Sequence, residues 1–314
     1  MTAENSRAQS YGPVSSSSRQ GSCDSPAEGN GYSNGSLFSL QMSDRDFLRL
    51  SRFIYESCGI NLPPGKKTMI EGRLRKRLRA LGMDSFGRYC EFLFSPSGMQ
   101  SEHVHMIDVV TTNKTDFFRE PEHFDYLSKT VLPELVLSPG ATRRRINVWS
   151  AACSTGEEPY TLSMVLAEFA QECSRFDFSV LATDISTVVL EKAALGIYEH
   201  ERVIPVPMML RKKYLLKSRH KEKGLVRIAP ELRGYVRFRR LNFLDDDYGI
   251  DERMDVVFCR NALIYFDRPT QEKFVFRFLE HMRRGGYLFI GHSESLNGME
   301  LPLEQTAATV YRKL

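Results

Sequence analysis

Hydrophobic residues recur at helical spacing through the first third of the chain. Phe47, Leu50 and Ile54 fall on one face of a predicted first helix. A stripe of isoleucine and leucine predicts a second helix over about residues 65–81. Further short helices are predicted over about residues 85–94, 101–110 and 121–132. Because no strand pattern appears among them, we expect residues 37–130 to form a small all-helical domain.

From residue 146 onward the hydrophobic pattern changes to that of buried strands. Short apolar runs predict strands at about residues 146–149, 178–182, 255–259, 287–291 and 308–312. Helical patterns alternate with these runs, which predicts an α/β fold with a mostly parallel, doubly wound sheet over residues 131–314. Two further strand candidates, at 225–229 and 236–241, interrupt the alternation. We interpret them as a small inserted β-subdomain over residues 202–241.

The composition is that of a globular protein of about two domains. The chain has 314 residues, of which 42% are hydrophobic, enough to build a sizeable core. The exception is residues 1–36, which are dominated by serine and glycine and are expected to form a disordered leader. The formal net charge of +4 is too mild to indicate a nucleic-acid coat protein.

Cysteine usage and the lengths of apolar runs bound the cellular location. The six cysteines show no CxxC pairing, which argues against a metal site or a disulfide framework and for reduced thiols. No apolar run approaches the ~18–20 residues of a membrane span, and the chain start lacks an apolar signal core. We therefore expect a cytoplasmic protein without membrane insertion. We also expect it to be a monomer.

The loop after the first predicted strand is a candidate ligand site. Small residues run from Ser150 to Gly156 and would let the backbone approach a ligand, but the GxGxxG fingerprint is absent. Glu157 and Glu158 occupy the following helix start, where they would repel a phosphate and suit a cationic ligand. The alternative is that they only stabilise the helix N-terminus, by ~0.3–1 kcal/mol each.

A further carboxylate, Asp184, ends the second predicted strand. A carboxylate at this position can accept hydrogen bonds from both hydroxyls of a ribose, although it can also cap the next helix. Taken with the acidic loop, it favours a nucleoside that carries a positive charge and no phosphate. S-adenosylmethionine fits that description.

Four stretches of the chain resemble the CheR family, the chemotaxis-receptor glutamate O-methyltransferases that use S-adenosylmethionine. They read TTNKTDFFRE at 111–120, WSAACSTGEEPY at 149–160, FCRNALIYF at 258–266 and GHSE at 291–294. The resemblance implies a Rossmann-like methyltransferase sheet behind a helical substrate-docking domain. It also implies methyl transfer to glutamate side chains of methyl-accepting receptors for sensory adaptation, with S-adenosylhomocysteine as the second product.

The resemblance also implies the residues of the site. Cofactor-binding residues would be Asn113, Thr115 and Arg119 at the methionyl end, Glu157 at the ammonium group, Asp184 at the ribose, Asn242 and Phe243 at the adenine, and Arg260 and Asn261 near the methyl group. Arg260, Asn261 and Tyr265 would form the catalytic pocket, although Tyr265 could equally be a core aromatic. No general base is expected, because a glutamate side chain is already ionised at neutral pH.

The second predicted helix is strongly basic. If its leucine stripe faces inward, most of its charges lie on the exposed face. By resemblance, this face would dock onto the acidic methylation helices in the cytoplasmic region of a receptor. A solvated face and a nucleic-acid contact are the alternatives. The docking residues would be Lys66, Arg73, Arg75, Lys76, Arg77 and Arg79.

One departure from the family concerns a glycine-rich turn. In part of the family this turn binds the C-terminal pentapeptide of a receptor, but here residues 217–224 retain only Gly224. We therefore expect no pentapeptide tether. Two rival functions are a nucleic-acid methyltransferase, which the low net charge disfavours, and a catalytically degenerate docking or sensing module. The second rival is disfavoured by the intact set of matched ligand residues.

Overall fold

Helices make up the first part of the structure. The structure is a computed structural model, and it describes residues 41–137, 144–173, 176–218 and 224–314. The leader predicted over residues 1–36 lies outside these ranges. The helices of this first part are α1 (Asp44–Cys58), α2 (Lys67–Ala80), α3 (Phe86–Leu93), α4 (Pro96–Ser101) and α5 (His103–Val110).

The ends of α1 follow from the residues that flank it. Ser43 Oγ accepts a hydrogen bond from the backbone N–H of Asp46 at 3.0 Å and so caps the first turn. Gly59 ends the helix with a φ of +76°, a left-handed conformation that favours glycine. The predicted apolar face of α1 is buried, and so are Leu74 and Leu78 of α2. The helical pattern is thereby confirmed.

A longer helical segment leads towards the sheet. It consists of α6 (Pro121–Tyr126), a π-helical turn (Leu127–Val131) and α7 (Leu132–Leu137). The helix predicted over about residues 121–132 therefore ends too early. Pro133 has no backbone N–H to donate to the carbonyl four residues earlier, and the π-helical turn directly before α7 interrupts the regular α-helical pattern at this point.

A seven-stranded sheet forms the second part. Its strands are β1 (Arg144–Ala151), β2 (Phe176–Asp184), β6 (Val236–Arg240), β7 (Met254–Cys259), β8 (Met282–Ile290), β9 (Leu303–Ala307) and β10 (Val310–Lys313). Their order is β6-β2-β1-β7-β8-β10-β9. All neighbours are parallel except β10, which runs antiparallel to both β8 and β9. The predicted doubly wound sheet is confirmed.

Helices pack on both faces of this sheet. The helices that follow its strands include α8 (Glu157–Glu172), α9 (Thr187–Leu195) and α12 (Arg268–His281). On one face, Trp149 of β1 meets Phe278 of α12 edge to face, with ring centroids 5.2 Å apart. On the other face, Val148 belongs to a buried cluster with Leu162 of α8. Successive residues of β1 thus point to opposite layers of the core.

A small antiparallel sheet is inserted between α9 and β6. Its strands, in spatial order, are β3 (Ile197–Glu199), β5 (Leu225–Ile228) and β4 (Leu215–Lys217). The helices α10 (Met208–Tyr214) and α11 (Pro230–Arg233) complete this region. The predicted limits of 202–241 are wrong at both ends, because β3 begins earlier and β6 pairs in parallel with β2. The arginines of β6 suit an edge strand of the main sheet, where charged side chains reach solvent.

The end of α1 packs over the carboxyl ends of the sheet strands. Tyr55 Oη donates a hydrogen bond to Asp267 Oδ2 at 2.9 Å. The backbone N–H of Asn61 donates to the carbonyl of Tyr265, also at 2.9 Å. Residues Leu40–Leu314 form one compact unit. Within the described ranges, no helix has the length and apolar character that crossing a membrane requires.

Candidate active site

A cavity lies where the strand order of the sheet reverses. Chain order runs from β1 outward through β2 to β6, then returns to β7 on the other side of β1. Ligands of open α/β sheets bind at such a point, beyond the carboxyl ends of the strands. The open cavity has a volume of about 900 Å³, and the loops after β1, β2, β6 and β7 line it.

Most of the residues predicted for the site meet in this cavity. Those that line it are Asn113, Thr115, Arg119, Asp184, Asn242, Phe243, Arg260, Asn261 and Tyr265. The helical part supplies two wall residues that the sequence did not indicate, Cys58 and Ile60. Burial raises the pKa of Cys58 to about 11, so this part of the wall is a neutral thiol at pH 7.

Left-handed backbone conformations cluster around the cavity. Phe118 and Glu120 have φ values of 52° and 56°, and Ala152 and Ser154 have values of 62° and 50°. Asn261, directly after β7, has a φ of 57°. Each such conformation costs non-glycine residues on the order of 1–3 kcal/mol, and such strain is concentrated at functional sites. The strain therefore marks the loop between α5 and α6, the loop after β1 and the loop after β7.

Asp184 joins two loops at the cavity wall. Its Oδ2 accepts a hydrogen bond from the backbone N–H of Ser154 at 2.8 Å, and its Oδ1 accepts one from Ser186 at 2.9 Å. Ser186, not Asp184, is the N-cap of α9. Burial raises the pKa of Asp184, and the backbone hydrogen bonds oppose that rise. The geometry thus places a buried carboxyl group, rather than a helix cap, at this position.

The two adjacent glutamates at the start of α8 point to different surroundings. Glu158 lines the cavity, and its carboxylate accepts from Ser150 Oγ and from Arg260 Nε, each at 2.7 Å. Glu157 is only 1% exposed, is not among the lining residues, and forms an ion pair with Arg202 at 2.6 Å. The assignment of Glu157 to the ammonium group is therefore not supported by this geometry.

Arg260 is a buried anchor rather than a free cation. Its side chain is only 2% exposed, and its guanidinium lies 5.0 Å from the ring centroid of Phe124. In addition to the bond to Glu158, Nη1 donates to the backbone carbonyl of Arg119 at 2.6 Å. Arg260, which directly follows β7, therefore fixes the loop that carries the predicted methionyl ligands.

Glu294 holds the loop after β7, although no role is predicted for it from the sequence. Glu294 Oε2 accepts hydrogen bonds from the backbone N–H groups of Gly291 and Asn261, at 2.6 and 2.9 Å. Its Oε1 accepts from Ile264 at 3.2 Å. A side chain on Gly291 would clash with Asn261, because a Cβ there would lie 2.4 Å from Asn261 Nδ2. The GHSE stretch thus shapes the cavity from behind.

The residues predicted for the adenine end have separate roles. Asn242 Nδ2 donates to the carbonyl of Ser57 at 2.7 Å, which ties this loop to the end of α1. Phe243 is buried, with its ring centroid 5.0 Å from that of Phe278. Tyr265 is half-buried and belongs to a short 3₁₀ turn at the cavity wall. Its position is that of a wall residue rather than a core aromatic.

A cluster of potential metal ligands lies behind the site. Ligand atoms of Glu120, His123 and His292 lie within 4.8 Å of one another. The guanidinium of Arg260 already contacts this cluster, with Nη1 3.2 Å from His123 Nδ1 and 3.4 Å from Glu120 Oε2. Burial lowers the pKa of His123 to about 4, so its imidazole is neutral at pH 7. The geometry therefore suits a guanidinium, and an added metal cation would be repelled by it.

The basic helix is less exposed than predicted. Arg77 forms a two-pronged ion pair with Glu102, which is 1% exposed, at 2.7 and 2.6 Å. Arg73 donates to the backbone carbonyl of Val110 and to Thr112 Oγ1. The predicted exposure is therefore wrong for these two arginines, and Arg75 is also half-buried. The predicted docking residues that are exposed are Lys66, Lys76 and Arg79.

A doubly wound sheet with this strand order, and a cavity with a carboxylate at the end of β2, form a Rossmann-like architecture suited to a nucleoside-containing ligand. The family model described as "CheR methyltransferase, SAM binding domain" matches residues 113–312. The model described as "CheR methyltransferase, all-alpha domain" matches residues 45–111. The chain belongs to the CheR methyltransferase family and is an S-adenosylmethionine-dependent methyltransferase.

Three curated relatives illustrate this similarity, and all three carry the name "Chemotaxis protein methyltransferase". The relative from Borreliella burgdorferi is 37% identical, across 87% of this chain and 96% of the relative. The relative from Salmonella typhimurium is 39% identical, across 87% and 91%. The relative from Escherichia coli is 40% identical, across 87% and 92%. The predicted family, enzyme class and cofactor are confirmed.

Proposed function

We propose that this enzyme methylates glutamate side chains of chemoreceptor-type signalling proteins. The products are glutamate methyl esters and S-adenosylhomocysteine. The names of the relatives support the link to chemotaxis, and the cavity at the strand-order reversal carries the proposal. We assign residues 37–130 to substrate docking and residues 131–314 to methyl transfer.

The cavity fits the cofactor at three places. A carboxylate has about four acceptor sites, so Asp184 retains capacity for a ribose hydroxyl beyond the backbone N–H groups of Ser154, Ile185 and Ser186. Arg119 can bind the methionyl carboxylate through a charge-assisted fork. Phe243 offers an apolar face to the adenine, with the Asn242 amide beside it. Asn113 and Thr115 complete the methionyl wall.

The ammonium group of the cofactor needs a carboxylate at the cavity wall. Glu158 is there, although Arg260 and Ser150 already neutralise part of its charge. Glu157 would act from behind, through the loop that it braces. We therefore assign the ammonium contact to Glu158 in preference to Glu157.

The chemistry needs alignment more than proton transfer. When bound, S-adenosylmethionine supplies a sulfonium methyl group that a carboxylate can displace. A substrate glutamate is ionised at pH 7, so no residue has to remove a proton from it. Asn261 and Tyr265 line the wall where such a side chain would enter, while Ile60 and Cys58 help to exclude water. Exclusion of water raises the reactivity of the carboxylate, and a fixed approach lowers the entropic cost.

The exposed cations of α2, together with Lys66 directly before it, are the proposed receptor contact. Lys66, Lys76 and Arg79 reach solvent, whereas Arg73 and Arg77 are held within the helical part. An acidic receptor helix would be attracted to the exposed set. The enzyme is proposed to act in the cytoplasm as a monomer, without nucleic acid and without the pentapeptide tether.

Methyl transfer from tritium-labelled S-adenosylmethionine tests this proposal. Purified enzyme is incubated separately with receptor-containing membranes and with total RNA. We expect base-labile counts in receptor protein, because carboxyl methyl esters hydrolyse in alkali. Counts in RNA would instead favour a nucleic-acid methyltransferase, and no counts in either would favour a degenerate module.

A further inference from the structure

One arginine of the inserted region contacts both loops that flank the cofactor cavity. Arg202 Nη2 donates to the carbonyl of Thr115 and to Glu157 Oε1, each at 2.6 Å. Its Nη1 donates to Asp116 Oδ1 at 3.0 Å. Thr115 lines the cavity, and Glu157 begins α8 directly after the loop that follows β1. A single guanidinium therefore connects the loop between α5 and α6 with the loop that follows β1.

A second residue of the insertion supports the same two loops. Tyr198 of β3 donates a hydrogen bond to the carbonyl of Thr155 at 2.7 Å. Its ring meets that of Phe117 edge to face, with centroids 4.9 Å apart. The packing is tight at Gly156, where a Cβ would lie 2.9 Å from the Tyr198 hydroxyl oxygen. The insertion thus packs directly behind the cofactor loops.

The charges explain why an arginine stands at this position. Glu157 is 1% exposed, and a buried carboxylate without a counter-charge is strongly destabilised. Thr155 Oγ1 also donates to Glu157 Oε2, at 2.6 Å, so both carboxylate oxygens are bound. The planar fork of arginine can reach three acceptors at fixed angles, which the single ammonium group of lysine cannot do.

We propose that Arg202 is a positioning residue for cofactor binding. It holds the segment that carries Asn113 and Thr115 against the start of α8, so that the methionyl end of the cavity is formed before the cofactor arrives. The inserted region then serves cofactor binding whether or not it contacts a receptor. This inference rests on the proposed cofactor site in the same cavity.

Variants of the full-length enzyme test the proposal by calorimetric titration with S-adenosylhomocysteine and by steady-state kinetics. We expect Arg202→Met to raise the Kd and the KM for S-adenosylmethionine by about tenfold, the scale for a lost charged hydrogen bond. At saturating cofactor, kcat should stay close to the wild-type value. The Kd and KM of Arg202→Lys should lie between those of the wild type and Arg202→Met, because lysine keeps the positive charge but lacks the planar fork of arginine.

Two controls separate the possible failures. Arg237→Met removes a more exposed ion pair, with Glu252, on the edge strand β6 and should leave Kd unchanged. Asp184→Ala reports on the cofactor site itself. If Asp184→Ala weakens binding and both Arg202 variants bind as wild type, Arg202 has no positioning role. If neither position affects binding, the placement of the cofactor is wrong. If Arg202→Met does not fold, Arg202→Lys carries the test.

Discussion

Arg260 donates a hydrogen bond to the backbone carbonyl of Arg119 at 2.6 Å, across 141 positions of sequence. This contact makes the first residue after β7 responsible for the shape of the loop between α5 and α6. Arg260 also pairs with Glu158, so a single buried cation organises two walls of the cavity.

Replacing Arg260 by methionine should therefore affect stability as well as cofactor binding. The substitution leaves the carboxylate of Glu158 without its cation, and we expect the free energy of unfolding to fall by about 3–5 kcal/mol. Urea denaturation followed by circular dichroism measures this loss. Arg52→Met is the matched control, since the Arg52–Glu56 pair is mostly exposed and should contribute only ~0–1 kcal/mol. Equal losses in the two variants would contradict the anchoring role.

The ribose contact gives the most direct prediction for cofactor affinity. Asp184→Ala should weaken S-adenosylmethionine binding by ~2–3 kcal/mol, the range for hydrogen bonds to charged groups. Isothermal calorimetry measures the change. Asp177→Ala, at the other end of β2, is the control and should bind normally. Unchanged affinity in a folded Asp184→Ala variant would remove this residue from the site.

The geometry of α2 separates docking charges from structural ones. Charge reversal at Lys76 or Arg79 should slow receptor methylation at low salt and leave cofactor affinity intact. The wild-type rate should fall as salt rises, because exposed charges are screened over ~8–10 Å near physiological ionic strength. Lys192→Glu, an exposed reversal on α9, is the control. If the methylation rate changes neither with salt nor with these charge reversals, the basic face of α2 is solvated and does not dock the receptor.

Reversal at Arg77 should behave differently from reversal at the exposed positions. Arg77→Glu places a second carboxylate beside the buried Glu102, so the expected result is loss of folding rather than selective loss of docking. Thermal unfolding of Arg77→Glu and Arg79→Glu in parallel distinguishes the two classes. A fully stable Arg77→Glu variant would show that the ion pair is dispensable.

Stability should depend on pH through His123. Burial and the nearby Arg260 lower the pKa of this imidazole from its usual 6.5 to about 4. Between these values the unfolded chain binds a proton that the folded chain does not, so stability falls as the pH drops from about 6.5 to about 4. The free energy of unfolding, measured by urea titration at several pH values in this window, should depend less steeply on pH for His123→Asn than for the wild type. An identical slope in the variant would contradict the assignment.

The tail-peptide prediction concerns the turn between β4 and β5. Added strands bind a sheet edge through main-chain hydrogen bonds, which a glycine-rich turn makes accessible. The sequence of residues 217–224 is basic and retains one glycine, while residues 219–223 lie outside the described ranges. Titration of a labelled receptor tail peptide should show no saturable binding. Micromolar affinity that is lost on mutation of Lys217 would overturn the prediction.

Most of the cavity-lining residues could be predicted from the sequence, because the end of each strand can be recognised from a short stretch of residues. In a parallel sheet the carboxyl ends of all strands lie at one edge, so Asp184 after β2 and Asn261 after β7 had to converge. Local capping signals such as Ser43 and Gly59 also set the limits of α1 correctly.

What the sequence missed depends on partners that are distant in the chain. The burial of Arg77 is set by Glu102, on another helix, and the roles of Glu157 and Glu158 are divided by Arg202 and Arg260. None of these three pairings is visible in the local pattern. The same holds for β9, whose polar sequence becomes a strand only by pairing with β10.

Mapping of the modified residues shows whether the enzyme transfers methyl groups to receptor glutamates. The wild-type enzyme is incubated with S-adenosylmethionine and a cytoplasmic helical fragment of a receptor, and the methylated peptides are identified by mass spectrometry. We expect base-labile methyl esters on glutamate side chains, and we expect the Asp184→Ala variant to form far fewer of them. Methylation confined to other residue types, or an unmodified fragment despite normal cofactor binding, would contradict it.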